Sequence, residues 1–226
     1  MLKTNLKVIG VAFSKSLPIM CSYIFISIAY GITMHENGYV WYWSVCASAA
    51  IYSGALLFVV VSFLAAAAPL LTVAITSLLM SSRQCFYSLT FLDDIKRMGL
   101  QKLFVIHTMT DETYAVDCTL DLPDAEKGNA MFLIAIFCHV SWLIGTAIGG
   151  IAGQFLPFDL TGIDFCMTAL FVTIFIDQWE KTKNHFPAIS GLLIGVLCLF
   201  LLGANNFIMP ALLISSGVLL FAPKEA

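Results

Sequence analysis

Residues 103–120 read LFVIHTMTDETYAVDCTL, an apolar start that gives way to hydroxyls and acids where a membrane span should continue. The surrounding chain is 60% hydrophobic, with a mean hydropathy of +0.92. An acid at bilayer depth costs about 2.5–3.5 kcal/mol, so Asp111 and Glu112 together cost roughly 5–7 kcal/mol. That rivals the whole stability of a small domain. Such groups persist there only if they face water, a partner charge or a solute. The tetrapeptide Thr110-Asp111-Glu112-Thr113 is therefore expected to be the centre of a transport site.

Working outward, apolar runs recur to the end of the chain and charged residues are only 11%, well under the soluble norm. This composition predicts an all-α polytopic membrane protein, a single transport domain over residues 1–226. A span needs about 20 apolar residues, which gives about eight segments: 8–33, 40–63, 67–92, 103–120, 129–153, 159–179, 187–203 and 206–222. Met1 to Gly10 carries Lys3 and Lys7, but no small-residue cleavage site follows, so it is read as the start of a span rather than a signal peptide. Polar connections fall at His35–Gly38, Asp93–Arg97, Asp121–Lys127 and Trp179–Lys183. Lys3, Lys7, Lys15, Lys127, Lys181, Lys183 and Lys224 on one side, against Lys96, Arg97 and Lys102, place the N-terminus in the cytoplasm.

Segments one and four are both expected to be discontinuous, the first at Leu17-Pro18-Ile19 and the fourth at Thr110–Thr113. Segments two and five carry small residues at their centres: Ser53-Gly54-Ala55, and Gly145-Thr146 with Gly149-Gly150. A 3+3 inverted repeat would pair residues 8–92 with 103–180, leaving 187–222 as two extra helices. Eight unrelated helices are the alternative.

Several residues carry possible chemistry. Broken helices free backbone amides and carbonyls for the charged ends of a zwitterion. Pro18 either frees a carbonyl near Ser14 for this purpose or only kinks its helix. Arg83, inside an apolar run, has three open roles: pairing Asp111 and Glu112, holding a substrate carboxylate, or snorkelling to the interface. Asp164 caps segment six or joins the site. His139 relays protons or bonds a carbonyl. Gly145, Gly149 and Gly153 make small-xxx-small pairs, suited to close helix packing or to a moving interface. Trp142, one turn earlier, closes an apolar pocket or fills space. The cysteines, seven in all and scattered, form no CxxC pair. No metal-ligand set and no cofactor motif is recognised. Net charge −3 without a basic block argues against a nucleic-acid partner. Adjacent acids on one helix point about 100° apart, so they do not make a facing catalytic dyad, and no enzyme activity is expected.

At these residues the chain resembles the AzlC family, the large subunits of branched-chain amino acid exporters. Thr110-Asp111-Glu112-Thr113-Tyr114-Ala115 matches its TDET[FY]A-like motif. Trp142-Leu143-Ile144-Gly145-Thr146 and Gly162-Ile163-Asp164-Phe165, then Ala169-Leu170-Phe171, match further signatures. Pro18-Ile19, Ala29-Tyr30-Gly31, Ser53-Gly54-Ala55 and Arg83 fall where the family has related motifs. Leu57, Ser81 and Thr168 depart from its usual glutamine, asparagine and proline. The resemblance implies a secondary transporter in the bacterial cytoplasmic (inner) membrane. It would export branched-chain and other apolar amino acids (valine, leucine, isoleucine, with methionine as a further candidate), be driven by protons, and work with a small AzlD-like membrane subunit of about four spans. The residues expected to bind substrate or couple protons are Asp111, Glu112, Thr110, Thr113, Arg83, Pro18, Ser53, Gly54, Trp142, Thr146, Asp164 and Phe165. A cation-selective channel and a scaffold subunit without its own solute site are the alternatives.

Overall fold

The computed structural model describes residues 6–155, 184–203 and 207–221, with a few positions between 172 and 180. The described residues are helical and contain no strand. The helices are α1 (Leu6–Glu36), α2 (Trp41–Ile51), α3 (Gly54–Ala65), α4 (Leu70–Thr90), α5 (Leu92–Arg97), α6 (Gln101–His107), α7 (Asp111–Asp117), α8 (Asp124–Phe155), α9 (Phe186–Leu202) and α10 (Ile208–Phe221). Most of segment six, and with it Asp164 and Phe165, lies outside the described residues.

Two of these, α1 and α8, are long and apolar enough to cross a membrane. Large apolar side chains point outward along the helices: Phe25 is 76% exposed and Phe200 85%. Apolar exposure on that scale suits lipid or a partner surface, not water.

The chain divides into two compact units, residues 1–65 with 81–163, and residues 66–80 with 164–226. In the second, α9 and α10 pair across the turn at Gly203, whose φ of +74° is glycine's region. In the first, α1 and α8 form the spine. They run parallel, since Phe13 meets Phe137, Tyr23 meets Trp142, and His35 packs on Gly153. Glycine makes this possible. A Cβ on Gly149 would overlap the Ile28 carbonyl, and one on Gly145 would lie 2.8 Å from the Ile24 carbonyl oxygen. Gly31 answers from α1, where a Cβ would lie 2.6 Å from the Gly150 amide nitrogen. The small-residue stripe is thus a helix-packing device.

One expected break is absent. Segment one is a continuous helix of 31 residues that passes through Pro18. Pro18 lies on an exposed face, turned from the core formed by Ser16, Ile19 and Tyr23. A proline removes one amide donor, and membrane helices tolerate that when local groups compensate. The carbonyl that Pro18 leaves without its helical donor is that of Ser14, one turn earlier, while the Ser16 and Ser22 hydroxyls donate to the Phe13 and Ile19 carbonyls at 3.1 and 2.9 Å. Pro18 is therefore a feature of a through-going helix, and the expected break at Leu17-Pro18-Ile19 is not there.

The second segment breaks instead. Tyr52 ends α2 in the left-handed region at φ +39°, its amide bonded to the Ser48 carbonyl at 3.2 Å. Gly54 then opens α3. Among the described residues the interrupted segments are thus two and four, not one and four.

Candidate functional site

The fourth segment breaks where the hydroxyls and acids cluster. After α6 the backbone leaves the helix at Thr108–Thr110, and α7 restarts at Asp111. Thr110 is extended, at φ −106° and ψ 175°, and forms a capping box with Thr113. The Thr110 amide donates to Thr113 Oγ1 at 2.8 Å, and the Thr113 amide donates to Thr110 Oγ1 at 3.4 Å. Threonine replaces the usual acid at the third position of this motif, so Asp111 and Glu112 are left for other partners while still facing the positive end of the helix.

Those partners are tyrosines. Tyr23, buried in α1, donates to Glu112 Oε2 at 2.8 Å and shares a 2.7 Å hydrogen bond with Thr110 Oγ1. Tyr87 of α4 donates to Asp111 Oδ1 at 2.6 Å and stacks on Tyr114, with centroids 4.7 Å apart. The two acids diverge accordingly, as adjacent helical positions must. Asp111 is half-buried beside α4. Glu112 is exposed, next to buried Thr110 and Thr113.

A second polar group joins the first through aromatic contact. The Tyr23 ring meets the Trp142 ring edge-on at 5.3 Å. Trp142 donates through Nε1 to Ser48 Oγ at 3.3 Å, and Ser48 shares a 3.2 Å hydrogen bond with Thr146 Oγ1. Ser48 and Thr146 are fully buried. The indole also covers the start of α3, where a Cβ on Gly54 would lie 3.1 Å from Trp142 Cη2. Gly54, Trp142, Thr146, Thr110, Thr113 and Glu112 thus belong to one constellation, spanning α1, α8 and the two helix breaks, with buried Ser53 next to Gly54 at the second break. His107 Nε2 ties the breaks together, donating to the Ala49 carbonyl at 3.3 Å.

Arg83 falls in α4 one turn before Tyr87, so its position shares the helix face that meets α7; its side chain lies outside the described residues, as do Asp164 and Phe165. The sequence reading missed Tyr23, Ser48, Tyr52 and Tyr87. Tyr23 and Ser48 had a signal: Ser16, Tyr23, Ser27 and Tyr30 recur at helical spacing within an apolar run, as do Ser44 and Ser48, and all are buried. A polar stripe on a membrane helix points inward. Nothing local marked Tyr52 or Tyr87.

A family model described as AzlC protein matches residues 18–156. The chain is 39% identical over 209 residues to the branched-chain amino acid transport protein AzlC of Bacillus subtilis (strain 168), covering 92% of this chain and 82% of that one. A membrane protein of Helicobacter pylori (strain J99) is 34% identical, with 97% of each chain covered. The inner membrane protein YgaZ of Escherichia coli (strain K12) is 28% identical, with 90% and 84% covered. No solved structure gives a significant match. The match spans both helix breaks, the acid pair and the α1–α8 spine, and on it the chain belongs to the AzlC family.

Proposed function

We propose that this chain is the large subunit of a secondary transporter that exports branched-chain and other apolar amino acids across the cytoplasmic membrane. The observation that carries the reading is the convergence of two helix breaks on a polar, aromatic constellation that leaves Glu112 open beside Tyr23. Glu112 suits an ammonium group. The first amides of α3, at the positive end of a helix beside Gly54, suit a carboxylate, with Arg83 as a second anion partner. Trp142 supplies apolar surface for a side chain. The name of the Bacillus subtilis relative points to the same substrates, and that of the Escherichia coli relative to the inner membrane. Proton coupling and a small AzlD-like subunit of about four spans complete the reading.

The test is flux of labelled leucine from proteoliposomes carrying the chain, with and without a co-expressed AzlD-like subunit. An imposed proton gradient should drive saturable leucine movement. Glu112→Gln should lower the rate about tenfold to a hundredfold, the size expected for one charge-assisted contact. Asp111→Asn, which meets Tyr87 instead, should lower it less. Leucine flux unaffected by either change would refute the assignment, and unitary currents would identify a channel instead.

A further inference from the structure

The acid most enclosed in the described molecule is neither Asp111 nor Glu112. Asp117, the last residue of α7, is 2% exposed, and its Oδ1 is buried without a hydrogen-bond partner. Its place is unfavourable for a negative charge, because the carbonyls of a helix C-terminus carry partial negative charge. The basic groups nearby have other partners. Lys127 of α8, the cation within electrostatic range, pairs with Asp94 at 3.2 Å and sits 5.2 Å from the Phe91 ring centre. Lys15 of α1 donates to Thr119 Oγ1 at 3.5 Å. Burial and an oxygen without a donor both favour the protonated form of such a carboxyl over the carboxylate.

Asp117 is not isolated from the site. Cys138 of α8 lies within electrostatic range of both Asp117 and Glu112, and Tyr52 within range of both Cys138 and Glu112. The Tyr52 hydroxyl and His139 Nδ1 are further buried atoms without partners, their rings 4.5 Å apart. Unserved buried polar groups are rare in folded proteins and call for an explanation. Asp117 Oδ1 is one of them.

We infer that Asp117 is a proton-binding site of the transport cycle, separate from the acid that meets the solute. The inference rests on the transport reading above. The step is a single proton transfer: the carboxyl O–H of Asp117 breaks, the proton passes to water, and a carboxylate remains until it is protonated again from the other side. Glu112 is then free to serve the solute's ammonium group throughout.

Asp117→Asn keeps the shape and removes the titration; Asp117→Glu keeps the titration. Infrared difference spectra of the purified protein in lipid, recorded across pH, should show a carboxylic-acid carbonyl band that titrates in the wild type, shifts in Asp117→Glu and is missing in Asp117→Asn. Leucine exchange, which needs no net proton movement, should stay within about twofold in Asp117→Asn, while gradient-driven flux falls at least about tenfold and loses its pH dependence. A titrating band unaltered by both substitutions, or wild-type pH dependence of driven flux in Asp117→Asn, would overturn the inference. A wild-type protein that moves no leucine defeats the transport reading, whereas the infrared band still decides whether Asp117 takes up a proton.

Discussion

Tyr23 is the residue on which the site turns. Its hydroxyl serves Thr110 and Glu112 together, and its ring carries the contact to Trp142. Tyr23→Phe keeps the ring and deletes both hydrogen bonds. One of these is to a carboxylate, so the loss is about 1.5–3 kcal/mol in the interaction of Glu112 with its surroundings. We expect leucine flux to fall about tenfold or more while thermal stability in detergent changes little, because the aromatic packing remains. Equal flux in Tyr23→Phe and wild type would show that Glu112 needs no orientation. At this scale the acids and hydroxyls of residues 110–113 were legible because charge in an apolar chain stands out. Their tyrosine partners were harder to see, since tyrosine is common in apolar runs and only tertiary contact reveals which one meets an acid.

Among the elements, the α1–α8 spine and the two breaks carry different kinds of information. The spine was readable: long apolar runs give the helices, and Gly145, Gly149 and Gly153 give the contact. Gly149→Leu should drive α1 and α8 apart at the Ile28 carbonyl. Overpacking typically costs about 1–3 kcal/mol, and backbone contact allows little relief. A lower unfolding temperature is expected, with Gly10→Ala as a control in open space; an unchanged value for Gly149→Leu would show that the helices do not meet there. The breaks were half readable. At Thr110 the chain announces its cap in the hydroxyl spacing. At Tyr52 it does not, because a left-handed non-glycine residue is held by its surroundings and costs of the order of 1–3 kcal/mol; only Ser53-Gly54 hinted at the second half-helix. Proline misled in the opposite sense, since Pro18 marks a break in water-soluble helices but is carried inside α1.

The parallel run of α1 and α8 constrains the whole molecule. For two spans to point the same way, the chain between them must cross an odd number of times, as segments two, three and four together would. Single cysteines at Asn37, after α1, and at Asp121, before α8, placed in a cysteine-depleted chain, should then react with an impermeant maleimide from opposite faces of sealed vesicles. Labelling of both from one face would contradict the crossing pattern. The position labelled from outside reports which face is cytoplasmic, and so tests the orientation expected from the lysine distribution. Apolar composition made the helical, membrane-spanning class legible; it did not reveal where helices break, because hydropathy averages over the few residues that decide. Central to the account is a solute ammonium group held at Glu112. Equilibrium binding of labelled leucine to the purified protein tests this most directly: the account predicts saturable binding that weakens about tenfold or more in Glu112→Gln, and equal affinity in the two proteins would contradict it.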